Sequence, residues 1–190
     1  MKKRLSRKFY KRPTLKVAKE LLGKYLVRQM GKKKLEGKII ETEAYIGPQD
    51  RASHAFGGKI TKRNKSKYLE GGHIYIFLCY GIHWQLNITT EKVGKPECVL
   101  IRALEPPNQG AKLKRVASGP GKLCRWMKLS HSFNEEDLTK SQRIWLEDRG
   151  VKILPAQIIK TKRIGIEYAG AWKEKPWRFY VRGNPLVSRK

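Results

Sequence analysis

The sequence predicts an α+β fold, a single mixed domain in which a curved antiparallel sheet is flanked by helices. Three observations lead to this prediction. Several β-rich segments follow one another with turn residues between them, a pattern typical of an antiparallel meander. Two segments with helical spacing, one near the N-terminus and one after residue 120, supply the helices. A chain of 190 residues is the length of one domain with one core.

The N-terminal segment MKKRLSRKFYKR is mostly basic and holds little to bury. We therefore expect residues 1–12 to form a flexible basic arm that either lies along phosphates or is simply solvated. The single domain is expected over residues 13–190. It begins with a helix near Pro13 that ends around Gly23 and buries one apolar stripe, Leu15, Ala18, Leu21 and Leu22.

The segment KYLVRQMGKKKLEGKIIETEAYIG predicts two strands joined by a turn around Gly31. In the second strand a period of two places Glu41, Glu43 and Tyr45 on one face and the intervening residues on the other. GGHIYIFLCYG, HWQLNITTEK and ECVLIRALEPP predict three further strands.

The second half of the sequence gives a weaker pattern. A loop is expected over PPNQGAKLKRVASGPG and a short helix in KLCRWMKL. Asn134 is expected to cap the acidic turn EEDL that follows it. RIGIEYAG and WRFYVRG predict the last two strands.

The charge balance indicates the class of partner. With 43 Lys and Arg against 16 Asp and Glu, the formal net charge is +27. An excess of this size, spread along the chain, favours nucleic acid or an anionic membrane. The apolar runs are all shorter than the 18 residues of a membrane span, which favours nucleic acid.

Two features of the sequence indicate the cellular compartment. After the basic start, TLKVAKELLGKYLV carries charges where a signal peptide needs an apolar stretch. The three cysteines, Cys79, Cys98 and Cys124, are widely spaced and suit a reducing compartment, where we interpret them as small buried hydrophobes. We expect a monomer in the cytoplasm, acting at the nucleoid.

An enzyme that acts on a nucleobase in DNA needs cations that bind the phosphates and flat side chains that hold the unstacked nucleobase. It also needs a side chain that fills the gap left in the duplex and a group that donates or accepts a proton. The chain holds LLGKYLVR, ETEAYIGPQDRASHAFGG, YIFLCYGIHWQLNI, VLIRALEP, SGPGKLC and RFYVRGNP in this order. In this it resembles the alkyladenine (3-methyladenine) DNA glycosylases over nearly the whole chain after the arm. The resemblance implies a domain built on a curved antiparallel sheet. It also implies a monofunctional enzyme that flips alkylated or deaminated purines out of duplex DNA and excises them.

The resemblance assigns the chemistry to two residues. Glu43 matches the family's general base, which removes a proton from the water that attacks C1′. Arg102 matches an arginine that helps to hold this water and favours the ionised carboxylate. No metal or other cofactor is expected, because the histidines and cysteines lack the spacing of zinc ligands.

The resemblance also assigns the DNA contacts. Tyr45 and His54 match residues that stack on the flipped base and contact its edge, and Phe77 stands where a Tyr often covers the opposite face. Tyr80, before Gly81, matches the wedge that intercalates into the duplex. Two further positions match the pocket wall: Asn87, which crowds the amino group of guanine, and the small Ala52.

Ordinary structural roles remain open for these residues. Glu43 and Arg102 could belong to salt bridges of the sheet, His54 and Tyr80 to the core, and Asn87 could satisfy a buried backbone group. The sequence departs from the family pattern at Phe77, which lacks the hydroxyl of a tyrosine, and this bears on the range of substrates. It also departs at Gly71, which stands in place of a proline and should make the turn more flexible. A basic nucleic-acid-binding module without catalysis is the alternative function.

Overall fold

The computed structural model describes residues 2–107 and 115–189. Its α-helices are α1 (Arg7–Tyr10), α2 (Thr14–Glu20) and α3 (Pro120–Trp126). Short 3-10 helices lie at Phe56–Gly58, Lys65–Tyr68, His131–Phe133, Pro155–Gln157 and Glu167–Glu174. The strands are β1 (Lys3–Arg4), β2 (Tyr25–Met30), β3 (Lys33–Tyr45), β4 (Ile74–Cys79), β5 (His83–Thr89), β6 (Cys98–Glu105), β7 (Ile144–Asp148), β8 (Ile158–Thr161) and β9 (Arg178–Val181).

The strands form one curled antiparallel sheet in the order β1-β7-β2-β3-β6-β5-β4, with β9 on β3 and β8 on β9. The predicted α+β fold with a curved antiparallel sheet is therefore confirmed. The helix after Pro13, the hairpin around Gly31 and the three strands that follow it are where the sequence predicts them. No helix in the described part of the chain is long and apolar enough to cross a lipid bilayer.

Strand β3 organises the sheet because it changes partners along its length. Its first half pairs with β2 and its second half with β9, while β6 lies along the opposite edge. The register with β6 shifts on both sides of Glu41. Such a bulge bends a strand and re-aims the side chains that follow it. The residues after the bulge, Glu43 and Tyr45, are the ones that the sequence places in the site.

The two faces of the sheet have different roles. Ala44, Ile76, Leu86, Ile88 and Ile101 point to one face and belong to the main hydrophobic core with α2 and α3. On the same side of β3, the hydroxyl of Thr42 donates to the backbone oxygen of Ala18 in α2 (2.9 Å). The alternate residues point to the other face, as the period of two predicts.

The flexible arm predicted over residues 1–12 is wrong for residues 3–10. Here β1 pairs with β7, and α1 follows it directly. Arg7 forms an ion pair with Asp137 (2.5 Å), and Tyr10 is fully buried. The basic residues of this segment find acidic partners far along the chain, which local sequence patterns do not show.

Gly71 takes part in the packing of this N-terminal segment. A Cβ at this position would lie 2.7 Å from the backbone oxygen of Tyr10. The residue at position 71 therefore allows close approach of two backbone segments, which is a reason for glycine here besides the flexibility of a turn.

Two expectations for the second half of the chain are wrong. RIGIEYAG is not a strand: its end forms a 3-10 helix, and the partner of β9 is β8. Asn134 does not begin a helix over EEDL; it ends the 3-10 helix His131–Phe133, and its side chain accepts a hydrogen bond from the backbone of Ile76 and donates one to Ser66. The predicted helix in KLCRWMKL is present as α3, and the predicted loop before it lies partly outside the described residues, at positions 108–114.

The packing of Tyr10 gives a stability prediction. Tyr10→Ala should lower the free energy of unfolding by about 3–5 kcal/mol, because it empties a fully buried site. Tyr10→Phe should change it by no more than about 1 kcal/mol, because the hydroxyl has no hydrogen-bond partner among the described residues. Urea denaturation of the three proteins measures both values. A Tyr10→Ala protein within about 0.5 kcal/mol of the parent would show that the segment is not packed.

Candidate active site

A cavity of about 250 Å³ opens on the face of the sheet opposite the main core. Strands β3 to β6 contribute alternate residues to it, and the loops after β3, β4 and β8 and the start of α3 complete the wall. Its lining comprises Tyr45, Ala52, His54, Lys67, Tyr75, Phe77, Cys79, Tyr80, Gln85, Asn87, Cys98, Leu100, Arg102, Pro120, Ile164, Gly165, Ile166 and Tyr168.

The carboxylate of Glu43 lies directly behind this cavity wall and is fully buried. Its Oε2 accepts a hydrogen bond from the hydroxyl of Tyr45 (2.9 Å). Its Oε1 accepts one from the backbone N–H of Ile164 (2.8 Å) and lies 3.3 Å from Nη1 of Arg102. All three of these partners line the cavity, although Glu43 itself does not. The carboxylate is thus held one hydrogen bond away from the cavity by the groups that form its wall.

The neighbouring carboxylate, Glu41, has a different environment. Its Oε1 accepts hydrogen bonds from Arg178 (2.7 Å), Arg102 (3.2 Å) and the hydroxyl of Ser188 (2.9 Å). Its Oε2 accepts one from the backbone N–H of Ser188 (2.7 Å). None of its contacts except Arg102 lines the cavity. Glu41 therefore serves to hold Arg102, β9 and the C-terminal segment together.

Arg102 bridges the two carboxylates. Burial acts to lower the pKa of Arg102, but the charges of Glu43 and Glu41 outweigh it and raise the pKa above its usual value. A buried carboxylate is costly unless it is paired and hydrogen-bonded. The guanidinium offsets this cost for both glutamates and remains in the cavity wall.

Tyr45 is fixed from behind by a second buried ion pair. The guanidinium carbon of Arg163 lies 4.7 Å from the centre of the Tyr45 ring, and Arg163 pairs with Asp50 at 2.6 Å. Both charged side chains of this pair are fully buried. The hydrogen bond from Arg163 to the backbone oxygen of Ala44 (3.0 Å) adds a further constraint. The Tyr45 ring is therefore held between Glu43 and Arg163.

His54, Tyr75 and Phe77 form an aromatic group on another side of the cavity. The centre of the His54 ring lies 4.5 Å from that of Phe77, nearly edge to face. Nδ1 of His54 is hydrogen-bonded to the hydroxyl of Tyr75 (2.6 Å). Burial, together with the charges of Arg63 and Lys67, lowers the pKa of His54 to about 4. His54 is thus neutral near pH 7 and packs with Phe77.

Asn87 and Ala52 also line the cavity. Asn87 is buried, its Nδ2 donates to the backbone oxygen of Gln85 (3.3 Å), and the thiol of Cys98 lies 3.7 Å from its Oδ1. Ala52 is buried in a small cluster with Ile166.

Tyr80 lies at the tip of the β4–β5 hairpin beside the cavity. Its side chain is 86% exposed, and the next residue but one, Ile82, is 70% exposed. Tyr80 has a φ of 50°, a left-handed conformation that non-glycine residues rarely adopt, and Gly81 follows with a φ of 71°. A strained turn that presents two apolar side chains to solvent is typical of a contact surface.

Three residues of this site have no signal in the local sequence patterns. Lys67 and Tyr168 line the cavity, and Arg163 supports Tyr45. Lys67 and Tyr168 lie in short 3-10 helices and Arg163 lies in a loop, so no strand or helix periodicity places them. Tyr75, by contrast, is one of the aromatic residues between positions 45 and 87 that the sequence offers for stacking, and it lies on the same face of β4 as Phe77.

The site contains no arrangement that points to a metal. Within residues 2–107 and 115–189, no three His, Cys, Asp or Glu side chains converge in a way that would hold an ion.

Comparison with known proteins places the chain in a family. The model of the methylpurine-DNA glycosylases matches residues 8–185. The chain belongs to this family. It is similar to a putative 3-methyladenine DNA glycosylase of Alkaliphilus oremlandii, with 42% identity over 98% of this chain and 100% of that protein. It is also similar to a putative 3-methyladenine DNA glycosylase of Methanocella arvoryzae (44% identity; 98% and 96% covered) and to the DNA-3-methyladenine glycosylase of Homo sapiens (36%; 97% and 68%).

The family assignment confirms the resemblance seen in the sequence. Methylpurine-DNA glycosylases are hydrolases of N-glycosyl bonds, so the prediction of an enzyme of DNA repair is confirmed at the level of the family. The roles of Glu43, Arg102, Tyr45, Ala52, His54, Phe77, Asn87 and Tyr80 stay predictions, for which the structure supplies the geometry.

His54 gives a prediction about pH. Its pKa in the folded protein is lowered to about 4, whereas the unfolded chain takes up the proton near about pH 6.5. The contribution to stability is thus complete above about pH 6.5 and is lost as the pH falls toward about 4. Between about pH 7 and about pH 4.5, urea denaturation should show a larger loss of stability for the parent protein than for His54→Gln. The difference is expected to be small, because His54 as a whole residue is exposed and solvent screens its charge. Parallel losses in the two proteins would contradict the neutral, packed histidine.

Proposed function

We propose that this protein is a monofunctional DNA glycosylase that excises alkylated or deaminated purines from duplex DNA. In this proposal water, activated by Glu43, attacks C1′ of the flipped nucleotide, and the products are the free base and an abasic site. The observation that carries the proposal is the buried Glu43 carboxylate, held by Tyr45, Arg102 and Ile164 in the wall of a base-sized cavity.

The size and lining of the cavity support a single flipped base as the ligand. Its volume of about 250 Å³ is below the range of about 300–1,000 Å³ that accommodates drug-sized ligands. Tyr45, Tyr75 and Phe77 supply aromatic surface for stacking, which binds a base in any sequence context. Electron-poor alkylated purines stack on such faces more strongly than undamaged ones.

The hydrogen bonds of Glu43 leave capacity for a water molecule. An ionised carboxylate offers about four lone-pair sites. Tyr45, the backbone of Ile164 and Arg102 occupy three of them. A water at the wall between Tyr45 and Arg102 would donate to the fourth, and transfer of its proton to the carboxylate as C1′ is attacked contributes about 10²- to 10⁴-fold to the rate.

The hairpin tip supports the flipping step. Extrusion of a nucleotide costs a few kcal/mol of stacking, and a side chain that fills the gap offsets part of this cost. Tyr80 is an exposed aromatic residue of the cavity lining, more exposed than Tyr168 of the same lining, and Ile82 lies two residues after it on the hairpin tip. Exposed cations on the loop over 51–63, including Arg51 and Arg63, supply contacts for the phosphates on either side.

A basic binding module without catalysis is the second candidate, and the charge of +27 alone supports it equally well. Binding to a polyanion, however, gives no reason to bury a carboxylate behind an open cavity. The burial of Glu43 therefore favours the enzyme. We expect the enzyme to act as a monomer.

The test is the release of base by a Glu43→Gln variant. On duplex DNA with one hypoxanthine or one ethenoadenine, the parent enzyme should leave alkali-labile sites. Glu43→Gln should lower the single-turnover rate by about 10²-fold or more while it still binds the lesion duplex, because the amide accepts no proton.

Glu41→Gln is the matched control two residues away in the same strand. It should lower the free energy of unfolding by about 3–5 kcal/mol, because buried Arg178 loses its carboxylate partner and Arg102 keeps only Glu43. The rate of the folded control should stay much closer to that of the parent than the rate of Glu43→Gln. Normal turnover by Glu43→Gln would contradict the role of this residue, and a parent protein that binds DNA but releases no base would support the binding module.

A further inference from the structure

Lys67 is a buried lysine in the floor of the cavity. Only 1% of the residue is exposed, and it is among the residues that line the pocket. It belongs to the 3-10 helix Lys65–Tyr68, which packs against β4 and β5. Its Nζ lies 5.9 Å from the centre of the Tyr75 ring, within the aromatic group described above.

The amino group of Lys67 lacks the partners that a buried cation needs. Its Nζ donates one hydrogen bond to an oxygen, that of the Ser53 hydroxyl (2.6 Å). Among residues 2–107 and 115–189 it forms no ion pair with a carboxylate. A lysine ammonium carries three N–H donors; one is used by Ser53 and one is directed at the thiol of Cys98, a weak acceptor, so no oxygen besides that of Ser53 accepts from it among the described residues. A buried charge without a partner is costly, and a ligand that supplies an acceptor would remove part of this cost.

The charge of Lys67 affects the pKa values of two other groups that line the cavity. Its charge is one of the causes that lower the pKa of His54, and it opposes the rise that burial produces in the pKa of the Cys98 thiol. His54, Cys98 and Tyr75 line the same cavity as this amino group, where a flipped base would lie.

We propose that Lys67 sets the substrate class of this site, favouring purines with a keto oxygen, such as deaminated purines, over purines that carry a positive charge from N-alkylation. The proposal rests on the proposed function and narrows it. A keto oxygen or an anionic purine accepts a hydrogen bond from Nζ, and hydrogen bonds to a charged group in a desolvated site are the strong ones. A cationic N-alkylated purine meets a like charge at the same place, which disfavours its binding.

Substitution of Lys67 by methionine tests the proposal, since methionine has a similar length and neither charge nor donors. Single-turnover release at saturating enzyme is measured on three duplexes, with hypoxanthine, 7-methylguanine or ethenoadenine as the lesion. Ethenoadenine, neutral and without a keto group, is the reference. Hypoxanthine and 7-methylguanine share a keto oxygen and differ in positive charge, so the ratio of their rates should fall by about tenfold or more in Lys67→Met, which removes the charge on Nζ. The ratio of the hypoxanthine rate to the ethenoadenine rate should also fall by about fivefold or more, because the hydrogen bond from Nζ to the keto oxygen is lost.

Lys65→Met is the matched control, because Lys65 lies on the same 3-10 helix but is exposed and pairs with Glu135 (3.4 Å). It should leave both ratios unchanged. A ratio in Lys67→Met within about twofold of the parent would overturn the proposal, since a charge or hydrogen bond in a buried site has a larger effect.

A second measurement, of binding by the parent protein, needs no substitution and tests the proposed substrate preference if Lys67→Met does not fold. The parent protein should bind a duplex with hypoxanthine at least about tenfold more tightly than one with 7-methylguanine, both stabilised against cleavage by 2′-fluorination. Equal or reversed affinities would overturn the proposal. Release of no base from any lesion would instead contradict the proposed function, whereas release with an unchanged ratio contradicts the role of Lys67 alone.

Discussion

The buried interaction between Glu43, Glu41 and Arg102 is the constraint on which the rest of the structure depends. Two carboxylates in one strand would repel each other and be costly to bury, but the arginine on β6 contacts both, at 3.3 Å and 3.2 Å. Glu41 is further held by Arg178 on β9. These contacts join three neighbouring strands, and they leave Glu43 adjacent to the cavity while Glu41 is fully engaged.

The sheet makes this arrangement possible because one of its faces packs into the core and the other lines the cavity. Apolar residues on one face pack with α2 and α3 into the main core, and the alternate residues on the other face line the cavity. The bulge in β3 at Glu41 turns the strand so that Glu43 and Tyr45 follow it toward the site. Residues between the strands then complete the cavity. Arg163 lies behind Tyr45, and Lys67 lines the cavity near Tyr75.

The strands that carry the site could be predicted from the sequence, and the loops could not. A period of two places Glu43 and Tyr45 on one face of β3, and the family motifs suggest their roles. Lys67 and Arg163 escaped prediction because their partners, Ser53 and Asp50, lie 14 and 113 residues away along the chain. The packed N-terminal segment was missed for the same reason, since the partner of Arg7 is 130 residues distant.

The most direct measurement is a crystal structure of this protein bound to duplex DNA that carries a 2′-fluoro hypoxanthine nucleotide, which resists hydrolysis. We expect a flipped base in the cavity, Tyr80 in the gap of the duplex, and a water about 3 Å from the Glu43 carboxylate on the face of C1′ opposite the base. A base bound in the cavity with its sugar turned away from Glu43, and no water between them, would contradict the role of Glu43 as the general base.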